Sequence, residues 1–130
     1  MGIKLTKVLG FVCAVFMLTA VQAQALGGAD IMKLVERGTW HAEDIEFGNW
    51  TWKEDHTVCF RLSNQTGKCA DTGTWKIDGD VLCYELSWYG KSVGINKNCF
   101  TVRELGDDRY ETLHHGGAMV STWFKFKIEV

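Results

Sequence analysis

Residues 123–130 read WFKFKIEV, and large apolar side chains occupy every second position of this stretch. The apolar set is Phe124, Phe126, Ile128 and Val130, and the residues between them are Trp123, Lys125, Lys127 and Glu129. Because successive side chains of a strand point to opposite faces, this period of two predicts a strand with one buried face. The stretch therefore favours a fold in which strands line a core.

Shorter stretches upstream show the same alternation or the same richness in aromatic and β-branched residues. They are residues 39–41, 50–52, 57–62, 74–77, 81–86, 100–102 and 110–113. Turn residues such as Asp78-Gly79-Asp80 separate them, and the chain has no proline. About eight short strands with turns between them predict a mainly β fold, either a small antiparallel barrel or a two-layer sandwich.

One short N-terminal helix is predicted over residues 27–38, before the first strand. Its apolar face is expected to comprise Ile31, Leu34 and Val35. We expect Asp30 to cap its start and Gly38 to end it in a left-handed conformation. A helix this short is not stable alone, so it should dock against one end of the sheet.

Residues 1–25 have the three parts of a secretory signal peptide. Lys4 and Lys7 give a positive start, residues 8–21 are almost wholly apolar, and small residues up to Ala25 form a cleavage pattern. The apolar run is shorter than the ~20 residues that cross a bilayer, so cleavage is favoured over a retained anchor. The sequence therefore predicts an exported protein, periplasmic or secreted.

Cleavage would leave residues 26–130 as a single disulfide-bonded, β-rich domain. The two lysines that leave reduce the 14 basic residues to 12, which against 16 acidic residues gives a net charge of −4. This mild acidity disfavours a nucleic-acid partner, because nucleic acids require a basic face. No other apolar run is long enough to span a membrane, so we expect no membrane span after cleavage.

Four cysteines remain after cleavage: Cys59, Cys69, Cys83 and Cys99. An even count in a small exported chain predicts a disulfide framework, although three pairings are open. Local geometry favours Cys59–Cys69, which flank a turn, and Cys83–Cys99, which lie in consecutive strands. A zinc site is disfavoured, because there is no Cys-x-x-Cys pair.

Tryptophan is abundant, with six in the chain, and two groups of aromatics are candidates for ligand binding. Trp50 and Trp52 are two residues apart and share a strand face. Trp88 and Tyr89 follow a strand in a turn-rich region, where exposed rings can stack on sugars or bury apolar ligands. The alternative is that these rings simply close the end of a barrel.

Histidines give the weakest candidate site. His114 and His115 precede Gly116-Gly117, so a loop is plausible there, and His41 could add a ligand together with Glu43 and Asp44. A solvated turn is the favoured interpretation, since nothing fixes a ligand geometry. No catalytic motif is present and no cofactor is indicated, so we expect the protein not to be an enzyme.

Several short motifs resemble one known family. They are Leu34, Gly38-Thr39, Gly73-Thr74-Trp75, Gly79-Asp80-x-Leu82-Cys83-Tyr84, Cys99, and Gly106-Asp107 before Tyr110. Together they resemble domain-of-unknown-function family 995, small exported alphaproteobacterial proteins. The resemblance implies a periplasmic or secreted β domain of a Gram-negative bacterium, and it implies no activity and no functional residues.

Three functions follow from these observations. The first is a non-enzymatic binding module of the periplasm or envelope, whose ligand is a small molecule, a saccharide or an envelope protein. The second is a protein-interaction or enzyme-inhibitor protein of the envelope. The third is a metal-dependent hydrolase that uses His114 and His115.

Overall fold

Eight antiparallel strands form the body of the computed structural model, which describes Gly2 and residues 24–44, 47–63 and 65–129. The strands are β1 (Thr39–Ala42), β2 (Asn49–Trp52), β3 (Thr57–Arg61), β4 (Asp71–Asp78), β5 (Val81–Leu86), β6 (Lys97–Gly106), β7 (Arg109–His114) and β8 (Trp123–Glu129). Each strand pairs with the next, and β1 also pairs with β8, so the sheet closes into a barrel.

This architecture confirms the predicted mainly β fold and selects the small antiparallel barrel over the two-layer sandwich. The predicted signal peptide, residues 1–25, lies outside the described residues except for Gly2 and its last two residues, and it stays a prediction. Val130, the predicted last residue of the final strand, also lies outside them. Within the described residues, no helix is long and apolar enough to cross a bilayer.

The inward faces of the strands form the core. On β8, Phe124, Phe126 and Ile128 are buried while the residues between them are exposed, as the alternation predicts. On β1, Trp40 is only 1% exposed and lies opposite Ile128 on one side and Trp50 of β2 on the other. The closing strand pair therefore joins the two ends of the meander in one aromatic interior.

Helix α1 (Gly28–Arg37) covers one end of the barrel. Its apolar face, Ile31, Leu34 and Val35, is buried, and the indole N–H of Trp40 donates to the carbonyl oxygen of Leu34 at 3.3 Å. The guanidinium of Arg37 donates to the Asp108 carboxylate at 2.7 Å in the β6–β7 turn. The predicted docking of this helix on one end of the sheet is thus confirmed.

Both ends of the helix differ in detail from the prediction. Asp30 does not cap the helix, because the first turn begins two residues earlier and Gly27 occupies the cap position. This earlier start depends on close packing: a Cβ at Gly28 would lie 2.3 Å from the Gly79 carbonyl oxygen. Gly38 has φ 156° and ψ −159°, so it is nearly extended rather than left-handed, since the chain runs directly into β1.

Two disulfides join the strands in the favoured pairing. Cys59 of β3 is bonded to Cys69 in the connection to β4. Cys83 and Cys99 lie directly opposite each other on β5 and β6 and are bonded. Each bond stabilises a domain of this size by about 2–4 kcal/mol.

Truncation of the helix face tests its role in covering the barrel. We expect Ile31→Ala to lower the free energy of unfolding by about 2–5 kcal/mol, because a fully buried side chain is removed from a close-packed end. Lys33 lies two residues further along, on the exposed face of the helix. The control Lys33→Ala should therefore change the free energy of unfolding by less than about 0.5 kcal/mol. Urea unfolding followed by circular dichroism measures both, and equal effects would contradict the docked helix.

Candidate functional site

The two ends of the barrel are built differently. At the end covered by the helix, short turns join β2 to β3, β4 to β5 and β6 to β7. At the other end, here called the open end, residues 43–48, 62–70, 87–96 and 115–122 connect the strands. Long connections around the mouth of a small barrel are a common place for a ligand site.

A cavity of about 200 Å³ opens at this end of the barrel. Its wall consists of Phe47, Trp50, Phe60, Tyr84, Leu86, Tyr89, Ile95, His114, Met119, Phe124 and Phe126. Seven of these eleven side chains are Phe, Trp or Tyr, and none of the eleven is a lysine, arginine, aspartate or glutamate. The wall is therefore suited to a flat, apolar molecule, which gains free energy by area burial and ring stacking.

The predicted aromatic residues divide between the wall, the floor and the rim. Trp50 and Tyr89 line the cavity. Trp52 lies deeper, 5% exposed, and its ring stacks on Trp50 with centroids 5.6 Å apart. Trp88 is 59% exposed and stands outside the cavity, edge-on to Tyr89. The structure thus brings two of the four residues to the wall, and their role in binding stays a prediction.

Glycine shapes the loop that carries these rings. Gly90 has φ +77°, a left-handed conformation that glycine adopts at little cost. A Cβ at this position would lie 2.3 Å from a side-chain carbon of Ile95. The sharp turn at Gly90 lets the loop fold back, so that both Tyr89 and Ile95 reach the cavity wall.

Three buried polar side chains hold the loops of the open end, and the sequence analysis did not identify them. Asn49, Asp71 and Asn98 each lie within the first two residues of a strand and are at most 5% exposed. The Asp71 carboxylate accepts hydrogen bonds from the backbone N–H groups of Trp88 and Tyr89, both at 2.9 Å. Asp71 therefore fixes the loop that carries the predicted aromatic pair.

Asn49 and Asn98 do the same for two other connections. The Asn49 amide donates to the carbonyl oxygens of Ser63 at 3.2 Å and Gln65 at 3.0 Å. The Asn98 side chain donates to the Gly116 carbonyl at 2.8 Å and accepts from its N–H at 3.0 Å. The only sequence signal for these residues was a small polar side chain at the start of a strand.

His114 carries the only imidazole among the eleven described side chains of the cavity wall. It is the last residue of β7, is 5% exposed, and lies between the rings of Phe100 and Phe124 at 5.1 and 4.7 Å. Burial, followed by the charge of neighbouring His115, lowers the pKa of His114 to about 4. The lowered pKa leaves this imidazole neutral at pH 7. Its Nδ1 is buried without a hydrogen-bond partner among the described residues.

The histidines predicted as weak metal ligands do not converge. His114 is in a strand rather than the expected loop, so it faces the interior while His115 faces outward, 3.3 Å from the Thr101 hydroxyl. His41 lies on the outside of β1, 3.4 Å from the Glu129 carboxylate. In the part of the chain that the structure describes, no group of three or more His, Cys, Asp or Glu residues could hold a metal ion.

The acids that might have joined them have other contacts. Glu43 forms an ion pair with Arg109, which lowers the pKa of the Glu43 carboxyl through that hydrogen bond. Asp44 also has an interaction of its own. The metal-dependent hydrolase is therefore without a site at these residues.

The cavity wall contains few ionisable groups. Its ionisable groups are one imidazole and two phenols, with no thiol and no carboxylate among the eleven side chains. The Tyr84 hydroxyl donates to the Ile95 carbonyl at 3.2 Å, and burial raises its pKa above the usual value. A proton on this phenol is thus held firmly, which leaves the group neutral.

Replacing Asp71 tests whether it orders the loop at the open end. We expect Asp71→Ala to lower the free energy of unfolding by about 1–3 kcal/mol, because two part-buried backbone N–H groups lose a charged acceptor. Hydrogen exchange at the Trp88 and Tyr89 amides should accelerate. The matched control is Asp78→Ala, an exposed position on the same strand, for which unchanged exchange is expected. Unchanged exchange in Asp71→Ala would contradict this role.

Acid sensitivity of folding tests the environment of His114. The His114 imidazole has a pKa near 6.5 in the unfolded chain and about 4 in the folded chain. Between these pH values the unfolded state therefore binds more protons. The free energy of unfolding should therefore fall as the pH is lowered through this window, by up to about 3 kcal/mol from this residue. His114→Phe should lose that contribution and His115→Gln should keep it. Parallel pH profiles for His114→Phe and the wild type would contradict the expectation.

Comparison with known proteins assigns the chain to a family and to nothing narrower. No curated protein and no solved structure matches it. The family resemblance that its short motifs indicate is confirmed. The chain belongs to the family DUF995, described as proteins of unknown function, whose model matches residues 4–129.

Proposed function

We propose that this chain is a non-enzymatic binding protein of the periplasm or envelope that holds a small, flat, largely apolar molecule. The observation that carries the proposal is the aromatic cavity at the open end of the barrel. A closely packed domain has few voids larger than a water molecule, so an apolar opening of about 200 Å³ needs an explanation. A ligand that fills this cavity would supply the van der Waals contacts that the wall side chains lack.

The size of the cavity limits the ligand. An apolar cavity of about 150 Å³ stays dry and takes up benzene. The space here is somewhat larger and opens to solvent at the mouth, so a molecule with one or two fused rings fits inside. Larger ligands would extend past Tyr89 towards the rim.

The site is ordered before a ligand arrives. The buried side chains of Asn49, Asp71 and Asn98 fix three of the four connections around the mouth through hydrogen bonds. A binding site that needs no ordering loses less conformational entropy on association. This rigidity supports a binding role, in which the wall is already in its ligand-bound form.

The export prediction agrees with this role. Disulfides form and persist in oxidising compartments, and the barrel contains two. A protein with these bonds and a signal peptide would meet its ligand outside the cytoplasm.

A second function, contact with a larger envelope partner or a saccharide, is supported by the rim. Exposed apolar side chains stand on all four connections of the open end: Phe47, Leu62, Trp88, Val93 and Val120. Apolar side chains grouped on one surface mark interaction sites. This candidate uses Trp88 on the rim, whereas the first uses Tyr89 in the wall.

Blocking the cavity tests the first function. Met119 lines the mouth, whereas its neighbour Val120 is exposed. We expect Met119→Trp to weaken binding of the probe 1-methylnaphthalene at least about tenfold, because the larger side chain occupies the ligand's space. Val120→Trp is the matched control and should bind as the wild type does. Protein-observed NMR titration gives both affinities, and the proposal fails if the wild type binds no one- or two-ring probe.

A further inference from the structure

We infer that the ligand of this cavity is a neutral molecule with a hydroxyl group on its apolar ring, and that this hydroxyl hydrogen-bonds to the imidazole of His114. The inference rests on the proposed function and narrows its ligand class. It starts from the imidazole of His114, a residue that lines the cavity and whose buried Nδ1 has no hydrogen-bond partner among the described residues.

Two other polar groups in the wall, on Trp50 and Tyr84, already have partners. The Trp50 indole N–H donates to the Phe47 carbonyl at 3.1 Å, and the Tyr84 hydroxyl donates to the Ile95 carbonyl at 3.2 Å. By contrast, Nδ1 of His114 has no hydrogen-bond partner among the described residues, and the imidazole ring packs against the rings of Phe100 and Phe124. Buried polar side chains in folded proteins nearly always have a partner, so this imidazole requires one.

The imidazole is held in place for such a contact. Phe100 and Phe124 flank the ring, and the backbone of His114 is fixed by hydrogen bonds to Thr122 and Ser121. A ring that cannot turn freely presents its nitrogens in fixed directions. A ligand with a polar group at the matching position is therefore preferred over one with the same rings and no polar group.

The charge of the surroundings decides which polar group fits. The wall contains no lysine or arginine, and desolvation keeps His114 neutral at pH 7. A carboxylate would lose its hydration without gaining a cation, which is unfavourable. A neutral imidazole has one donor and one acceptor nitrogen, and a hydroxyl group can bond to either of them.

Three probes with the same ring system separate the effects of ring burial, hydroxyl and charge on affinity. They are 1-methylnaphthalene, 1-naphthol and 1-naphthoate, each measured at pH 7. For the wild type we expect 1-naphthol to bind about tenfold tighter than 1-methylnaphthalene, since a buried polar group gains its partner. We expect 1-naphthoate to bind at least about tenfold more weakly than 1-naphthol. His114→Phe should keep its affinity for 1-methylnaphthalene and lose the preference for 1-naphthol, while the control His115→Phe keeps that preference.

A spectroscopic measurement on the wild type makes the test independent of the folding of the variants. The imidazole ¹⁵N resonances of His114 should shift on addition of 1-naphthol and stay nearly constant with 1-methylnaphthalene. Equal affinities for these two probes, or equal shifts, would overturn the inference and leave the proposed function standing. Absence of binding by all three probes would overturn both.

Discussion

The pairing of Thr39–Ala42 of β1 with Phe126–Glu129 of β8 closes the sheet, and the interior depends on this contact. A meander with free edges would expose unpaired backbone groups and leave its apolar face half covered. Closure instead directs every inward side chain to one axis, where Trp40 contacts Trp52, Phe100 and Phe126. Since strand number and tilt determine the width of a barrel, closure also determines how much space the side chains must fill.

The space is filled unequally along the barrel axis. Helix α1 inserts Ile31, Leu34 and Val35 at one end, beside the short turns between strands. No α-helix covers the open end within the described residues, and its loops are instead held at their strand junctions by Asn49, Asp71 and Asn98. Buried polar anchors of this kind specify a loop conformation, because a displaced loop would leave them unsatisfied. The position of the cavity follows from this difference, because a helix covers one end of the barrel and only loops surround the other.

The sequence predicted the features that depend on local periodicity. Alternation in β8 identified its inward face, and the order of neighbouring strands identified the Cys83–Cys99 bond. Depth along the barrel axis was not predictable, because it depends on the register of all eight strands; hence Trp50 lines the cavity and Trp52, on the same face, lies below it. Asp71 and Asn98 were missed since a polar residue at a strand end ordinarily faces water, and only the folded loops bury it.

His114 connects the stability of the barrel to its proposed function. A phenylalanine there would extend the row of Phe100 and Phe124 without a desolvation cost, whereas the imidazole leaves a buried nitrogen unsatisfied. The unfilled cavity beside it forgoes packing contacts as well. Both features lower stability in a domain of about 100 residues, whose stability is typically about 5–15 kcal/mol. Two disulfides, each worth about 2–4 kcal/mol, are large enough to offset them. The two disulfides thus permit an interior that is less than optimally packed, which is the condition for a preformed ligand site.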